Sequence, residues 1–363
     1  MNKKLRIAGI IGALAVSAII LTSPSNAPPL PEPTSRSGNE FVEVLATGLD
    51  KPWAIDFADN RIFITEKDGK IRIVKDGTLL KEPLATLRTA DVFEGGLLGI
   101  ATHPDFENNH FLYVYYTYEE NGNLWNKVLR IKESENKLKD AQTIFDKLPG
   151  SKFDNGGVIK FGPDGMLYIA TGITSDSSHG SQDLKSLEGK ILRLDDDGSI
   201  PQDNPFPNSP VYSYGHRDIQ GMTWDAKGNL FVSELGPTKN DEINLVKAGQ
   251  NYGWPEQECS GKAGFVDAII CYDPSIEPGG IVFYIGDKLG LENKMIMASL
   301  RGSNLYMLEV TEGLASQKSI LSGLGRIRDV NEGNDGYLYV ITSNTDGNGF
   351  PATDDDKLVR ILK

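Results

Sequence analysis

A chain of 363 residues with 39 glycines and 19 prolines is turn-rich and long enough to bury a large core. A formal net charge of −13 argues against a nucleic-acid surface, which needs a basic face to meet phosphates. Two cysteines without clustered histidines argue against a zinc centre.

Lys3, Lys4 and Arg6 precede an apolar run over 7–21 (IAGIIGALAVSAIIL). That run is short for a spanning helix and suits a signal h-region. Residues 1–23 therefore read as a signal peptide or an N-terminal membrane anchor. A tether through residues 5–22 is the alternative to cleavage after Ala27, where Pro28 makes a poor first residue. The positive-inside rule places the lysine side in the cytoplasm and the rest of the chain in an extracytoplasmic compartment. Residues 24–38 (PSNAPPLPEPTSRSG) form a Pro/Ser-rich linker, and residues 39–363 form the folded part. In an oxidising compartment Cys259 and Cys271 favour a disulfide over two buried thiols.

From there a pattern recurs. A turn rich in Asp, Asn or Gly leads into a short β-branched or aromatic run at 61–65, 111–116, 166–170, 229–233, 295–299 and 337–341. Partner runs follow at 70–74, 127–131, 190–194, 242–246, 305–309 and 357–362. Six copies at spacings of roughly 40–65 residues match the period of propeller blades. The expected fold is all-β, a six-bladed β-propeller, with a pair of β-sandwiches as the alternative. The segment 40–45 (EFVEVL) has no local partner, and pairing beside the last blade would close the ring and remove two sheet edges. Function is then expected in loops around one mouth of the central channel.

Four regions carry chemistry. Glu94 opens a glycine-rich loop followed by His103, whose place before a proline suits a structural role. Asp154 lies on the loop FDNGG, where a carboxylate can act as a base, hold a cation or simply make a turn. The stretch 214–255 combines Arg217-Asp218, Gly236-Pro237, Asp241-Glu242 and the aromatic turn at Tyr252. Its backbone and carboxylate oxygens suit calcium. Arg301, Arg326 and Arg328 offer guanidinium groups to a polyanion, or salt bridges to the chain's own acids. Arg326 and Arg328, at i and i+2, are expected on one face of a strand.

Read together, these markers resemble the soluble, pyrroloquinoline-quinone-dependent glucose/sorbosone (aldose sugar) dehydrogenase family. The resemblance runs in order through GLDKPW (48–53), EGGLLG (94–99), HPDF (103–106), FGPDG (161–165), GKILRL (189–194), DNPF (203–206), GHR (215–217), DEIN (241–244) and NYGWP (251–255). It implies a six-bladed propeller that uses pyrroloquinoline quinone and Ca2+. It further implies that Arg217 contacts the quinone, and that Gly236 and Pro237 give carbonyl ligands to its calcium. Glu242 and Tyr252 resemble a second, structural calcium site. Arg301, Arg326 and Arg328 resemble the holders of the cofactor carboxylates, and Glu94 falls where a residue contacts sugar or cofactor. Two positions depart from the family pattern. Asp154 stands where the family has its catalytic histidine, and Asp218 where it has an asparagine.

The resemblance implies an exported enzyme that oxidises a sugar hydroxyl and passes electrons to an external acceptor. Asp154 then takes the base position, and burial or nearby negative charge would raise its basicity. His216 and His179 are the substitutes. The alternative is a catalytically impaired propeller of the same family that binds a saccharide or a protein. A third reading, calcium-dependent lactone or phosphotriester hydrolysis, puts Asp154 and Glu94 on a metal.

Overall fold

A computed structural model describes residues 41–363 except 176–178 and 312–313. The signal, anchor and linker assignments fall outside them. Among the described residues the fold is six antiparallel sheets, five of four strands and one of five. The single helix there is the four-residue turn Phe106–Asn109. The inner strands are Pro52–Ala58, Leu97–Thr102, Gly156–Phe161, Ile219–Trp224, Pro278–Tyr284 and Ile327–Glu332. Each contacts the next around a closed circle. This is the expected six-bladed propeller, and the blades are numbered I to VI in that order.

The recurrent runs of the sequence are the second and third strands of each blade. Their β-branched and aromatic residues pack between neighbouring sheets, and Phe63, Ile71, Tyr113, Ile169, Leu192 and Val340 are wholly buried. A recurring device fixes the turns on the face away from the candidate site. In blade III, Asp164 accepts from the Tyr168 hydroxyl (3.0 Å) and pairs with Arg193 on the next strand (2.9 Å). In blade VI, Asp335 does the same with Tyr339 (2.8 Å) and Arg360 (3.2 Å).

Val42–Ala46 pairs antiparallel with Leu358–Ile361, and Glu43 meets Arg360 across the two strands. Blade VI therefore takes three strands from the end of the chain and its outermost one from the first described residues, as 40–45 led us to expect.

Every inner strand shifts register at its site-facing end: between residues 52 and 54, 97 and 100, 156 and 159, 219 and 221, 278 and 281, and 327 and 329. Such bulges re-aim side chains at a rim. They also let adjacent blades approach closely. A Cβ on Gly99 would lie 2.2 Å from the Gly157 carbonyl oxygen, and one on Gly279 would lie 2.2 Å from that of Arg328. Glycine is required at both by simple exclusion.

Candidate active site

One mouth of the channel is built by the loops leading into the inner strands and by the turns between second and third strands. These bring Glu94, Asp154, Arg217, Asp218, Glu277, Arg326 and Arg328 onto one face, with the Gly236-Pro237 turn and Arg301 beside them.

Asp154 and Arg217 form the centre. The guanidinium pairs with both carboxylate oxygens, NH1 to Oδ1 at 2.9 Å and NH2 to Oδ2 at 3.0 Å. NH1 also reaches the Leu235 carbonyl (3.3 Å), one residue before Gly236, and the group lies 5.4 Å from the Trp254 ring centroid. A two-point contact of this kind fixes the arginine's plane. Asp154 has a left-handed backbone (φ 53°). Its N–H donates to Glu94 Oε2 (2.8 Å), and its carbonyl accepts from Ile173 N–H (2.8 Å). Asn155 secures the loop from below. Its side chain bonds Asn126 and both backbone groups of Ser151, and its carbonyl takes the Tyr115 hydroxyl.

Asp218 is wholly buried. Gly156 N–H donates to its Oδ1 (2.9 Å), whereas its Oδ2 has no hydrogen-bond partner among the described residues. Burial, then the neighbouring charges of Asp154 and Glu94, push this carboxyl well above the usual range. Arg328 is its cationic counterpart. The guanidinium is buried, 4.3 Å from the Trp53 ring centroid, and NH2 donates to Gln220 Oε1 (2.6 Å) while Nε has no partner among the described residues. Burial lowers its pKa, against the pull of Asp329, Asp218 and Glu94.

Arg326 and Arg328 do not share partners. The register shift at 327–329 intervenes. Arg326 pairs with Glu277 (3.0 Å) and Asp346 (2.9 Å), while Arg301, with a side chain 55% exposed, pairs with the other oxygen of Glu277 (2.5 Å). The chain's own acids thus occupy two of the three arginines offered to a polyanion.

Asp241 and Glu242, adjacent in sequence, do different work. Asp241 is wholly buried and accepts from Gly236 N–H (3.1 Å), Ser275 Oγ (2.7 Å), Ile276 N–H (2.8 Å) and Glu277 N–H (3.0 Å). It ties the Gly236-Pro237 turn to the loop that carries Glu277. Glu242 instead borders a cavity of about 10 Å³ with Glu234, Glu258, Tyr252 and the Gly236 turn. That is room for one water or ion. The Tyr252 hydroxyl is committed to the Leu245 carbonyl (2.7 Å) and Lys247 N–H (2.9 Å), so its backbone carbonyl is the group left to offer an ion. The Cys259–Cys271 disulfide, formed as expected, holds the covering loop, and Cys259 N–H donates to Glu242 Oε1 (2.6 Å).

Burial, then Glu234, raises the Glu242 pKa to about 7. A raised carboxyl contributes stability below its unfolded pKa and loses it as pH rises through the folded one. The metal-free protein should therefore lose stability between about pH 4.5 and 7 through this group. Glu242→Gln should flatten that slope in thermal melts, and calcium should stabilise wild type more at about pH 8 than at about pH 5.5. An unchanged slope in the variant rules out Glu242 as its source.

Neither substitute histidine reaches the centre. His216 is wholly buried between Glu234 (3.0 Å) and Ser213 (2.9 Å) and stacks on Tyr252, and His179 is exposed near Glu256 (3.8 Å). His103 sits among Phe111, Tyr113 and Phe161, a structural place. Sequence reasoning missed Glu234 and Glu258. Glu234 was within reach, since a hairpin turning at Gly236-Pro237 sets it opposite Glu242.

The family model described as Glucose / Sorbosone dehydrogenase matches residues 49–359. The aldose sugar dehydrogenase of Escherichia coli (strain K12) is 34% identical over 339 residues, 84% of this chain and 91% of that one. Quinoprotein glucose dehydrogenase B of Acinetobacter calcoaceticus is 33% identical over 291 residues, 70% of this chain and 61% of that one. The PQQ-bound aldose sugar dehydrogenase structure from Streptomyces coelicolor superposes with a TM-score of 0.80 at 38% identity, over 88% of this chain and 97% of that one.

Proposed function

This chain belongs to the glucose/sorbosone dehydrogenase family, and we propose that it is an extracytoplasmic quinoprotein that oxidises a sugar hydroxyl, aldose to lactone. The observation that carries this reading is Arg328. A buried guanidinium whose Nε has no partner among the described residues costs on the order of 1–3 kcal/mol, with no return in a mere scaffold. A cofactor carboxylate would satisfy it, and Arg217, Arg301 and Arg326 stand on the same face. The residues present therefore fit a polycarboxylate quinone. Gly236 and Pro237 would hold its calcium through their carbonyls, and Glu242 with the Tyr252 carbonyl would hold a structural one, against the ion-sized cavity bordered by Glu234 and Glu258.

When bound, the quinone supplies a hydride acceptor. The chain supplies position and proton transfer. Arg217, fixed in plane by Asp154 and braced on the Leu235 carbonyl, places a positive charge where negative charge develops. Asp154 accepts the proton of the anomeric hydroxyl. An aspartate is a modest base, its ordinary pKa lying about 2–3 below that of histidine. Glu94, exposed at the rim and bonded to Asp154 N–H, can receive a second sugar hydroxyl. The electrons would leave to an external acceptor.

Reconstitution with calcium and pyrroloquinoline quinone tests the reading, with quinone binding and sugar-dependent dye reduction as readouts. Binding with turnover is expected, and absence of binding overturns the proposal. Binding without turnover favours the second reading, an impaired propeller that binds a saccharide or protein. The acids at 154 and 218, where the resemblance places histidine and asparagine, support that reading. Asp154→His should then gain activity.

A further inference from the structure

We propose that Glu94, Asp154 and Asp218 form a divalent-cation site of their own, distinct from the two calcium positions above. The three residues come from the loops entering blades II, III and IV, and one carboxylate oxygen of each lies within 4.8 Å of the others. Two features lift this above a chance cluster of acids. Asp218 is wholly buried, and its Oδ2 has no donor among the described residues although Oδ1 accepts from Gly156 N–H. A buried carboxylate oxygen without a donor or cation is a costly arrangement. The loops are also fixed before any ion arrives, by the bonds of Asp154 N–H to Glu94 Oε2 and of Glu94 N–H to the Lys152 carbonyl (2.9 Å).

Charge and ligand type specify the ion. Three carboxyl groups converge here, and the Arg217 guanidinium pairs with Asp154. Arg328 and Lys67 lie within electrostatic reach of Asp218 and Glu94 but donate their hydrogen bonds to Gln220 and the Phe93 carbonyl, so neither satisfies the Asp218 oxygen. Carboxylate oxygens alone select hard ions such as Ca2+, Mg2+ or Mn2+.

The test uses quinone-free protein titrated with Mn2+, with the free-ion electron paramagnetic resonance signal as the readout. Asp218→Asn keeps the acceptor for Gly156 N–H. It should bind one Mn2+ fewer per chain than wild type and keep whatever site Glu242→Gln removes. Glu94→Gln, at an exposed position, should weaken the same ion at least tenfold and serves as the second variant should Asp218→Asn fold poorly. Crystals grown with Mn2+ should show an anomalous peak among the three carboxylates. Equal stoichiometry in wild type and both triad variants overturns the proposal. So does a carboxylic-acid infrared band assigned to Asp218 that persists at saturating Mn2+, because a shared proton then fills the place of the ion. The outcome is independent of the redox reading: a protein that takes up Mn2+ here but no quinone fails only the earlier proposal, and the converse result fails only this one.

Discussion

Arg217→Ala should lower kcat/KM for quinone-dependent sugar oxidation by on the order of 10²–10³-fold, and Arg217→Lys should recover little of it. The guanidinium makes a two-point contact with Asp154, reaches the Leu235 carbonyl and packs over Trp254. An ammonium can hold one of those partners, not three in a plane. The Ala variant should also bind the quinone more weakly, because an unpaired Asp154 turns a site for a polyanion more negative. Thermal melting separates this from misfolding, since the Arg217 side chain lies at the mouth rather than among the core clusters. Near wild-type kcat/KM in the Lys variant would show that charge alone suffices and that the planar geometry is incidental.

Asp241→Ala should destabilise the fold by on the order of 3–4 kcal/mol, read as a shift of the urea midpoint with an unchanged m-value. Four donors lose the carboxylate at once, Gly236 N–H, Ser275 Oγ, Ile276 N–H and Glu277 N–H, of which only the last keeps a second acceptor among the described residues, Ser275 Oγ at 3.3 Å. Three of them are backbone groups that cannot turn away. The damage should extend to the site, because Glu277 holds Arg301 and Arg326 and Gly236 opens the turn offered to calcium. Quinone affinity in Asp241→Ala should fall even where the variant is fully folded. A loss below about 1 kcal/mol would mean that water replaces the carboxylate at little cost.

The parts of this architecture legible in the sequence share one physical trait. Second and third strands, such as Phe111–Glu120 and Lys190–Leu194, lie between other strands and other sheets, so their residues are β-branched or aromatic and bounded by clear turns. Inner strands are equally regular in space but hidden in sequence. Gly156-Gly157 and Gly279-Gly280 sit at their bulges, and glycine there reads as loop. The outermost strands escape for the opposite reason: Lys137–Pro149 is largely exposed and polar, and Ile270–Tyr272 is three residues long. At the site, residue types were readable and partnerships were not. Nothing local in FDNGG says that Asp154 will meet Arg217 from the neighbouring blade. Asp241 and Glu242 look alike as a pair, yet strand alternation sends one into a backbone cradle and the other to an ion-sized cavity.

Blade VI has a consequence for the order of events in folding. Val42 lies opposite Ile361, and Glu43 opposite Arg360, so the contact that seals the circle joins residues more than three hundred positions apart. Contacts of that separation form late and slowly. Until the last strand exists, the first has no edge to join, and blades I and VI cannot lock. Such a latch makes the ring an all-or-none object. A chain cut short anywhere before residue 358 keeps an open edge at each end, which quality-control proteases and chaperones can recognise, and a finished chain hides both in a single step.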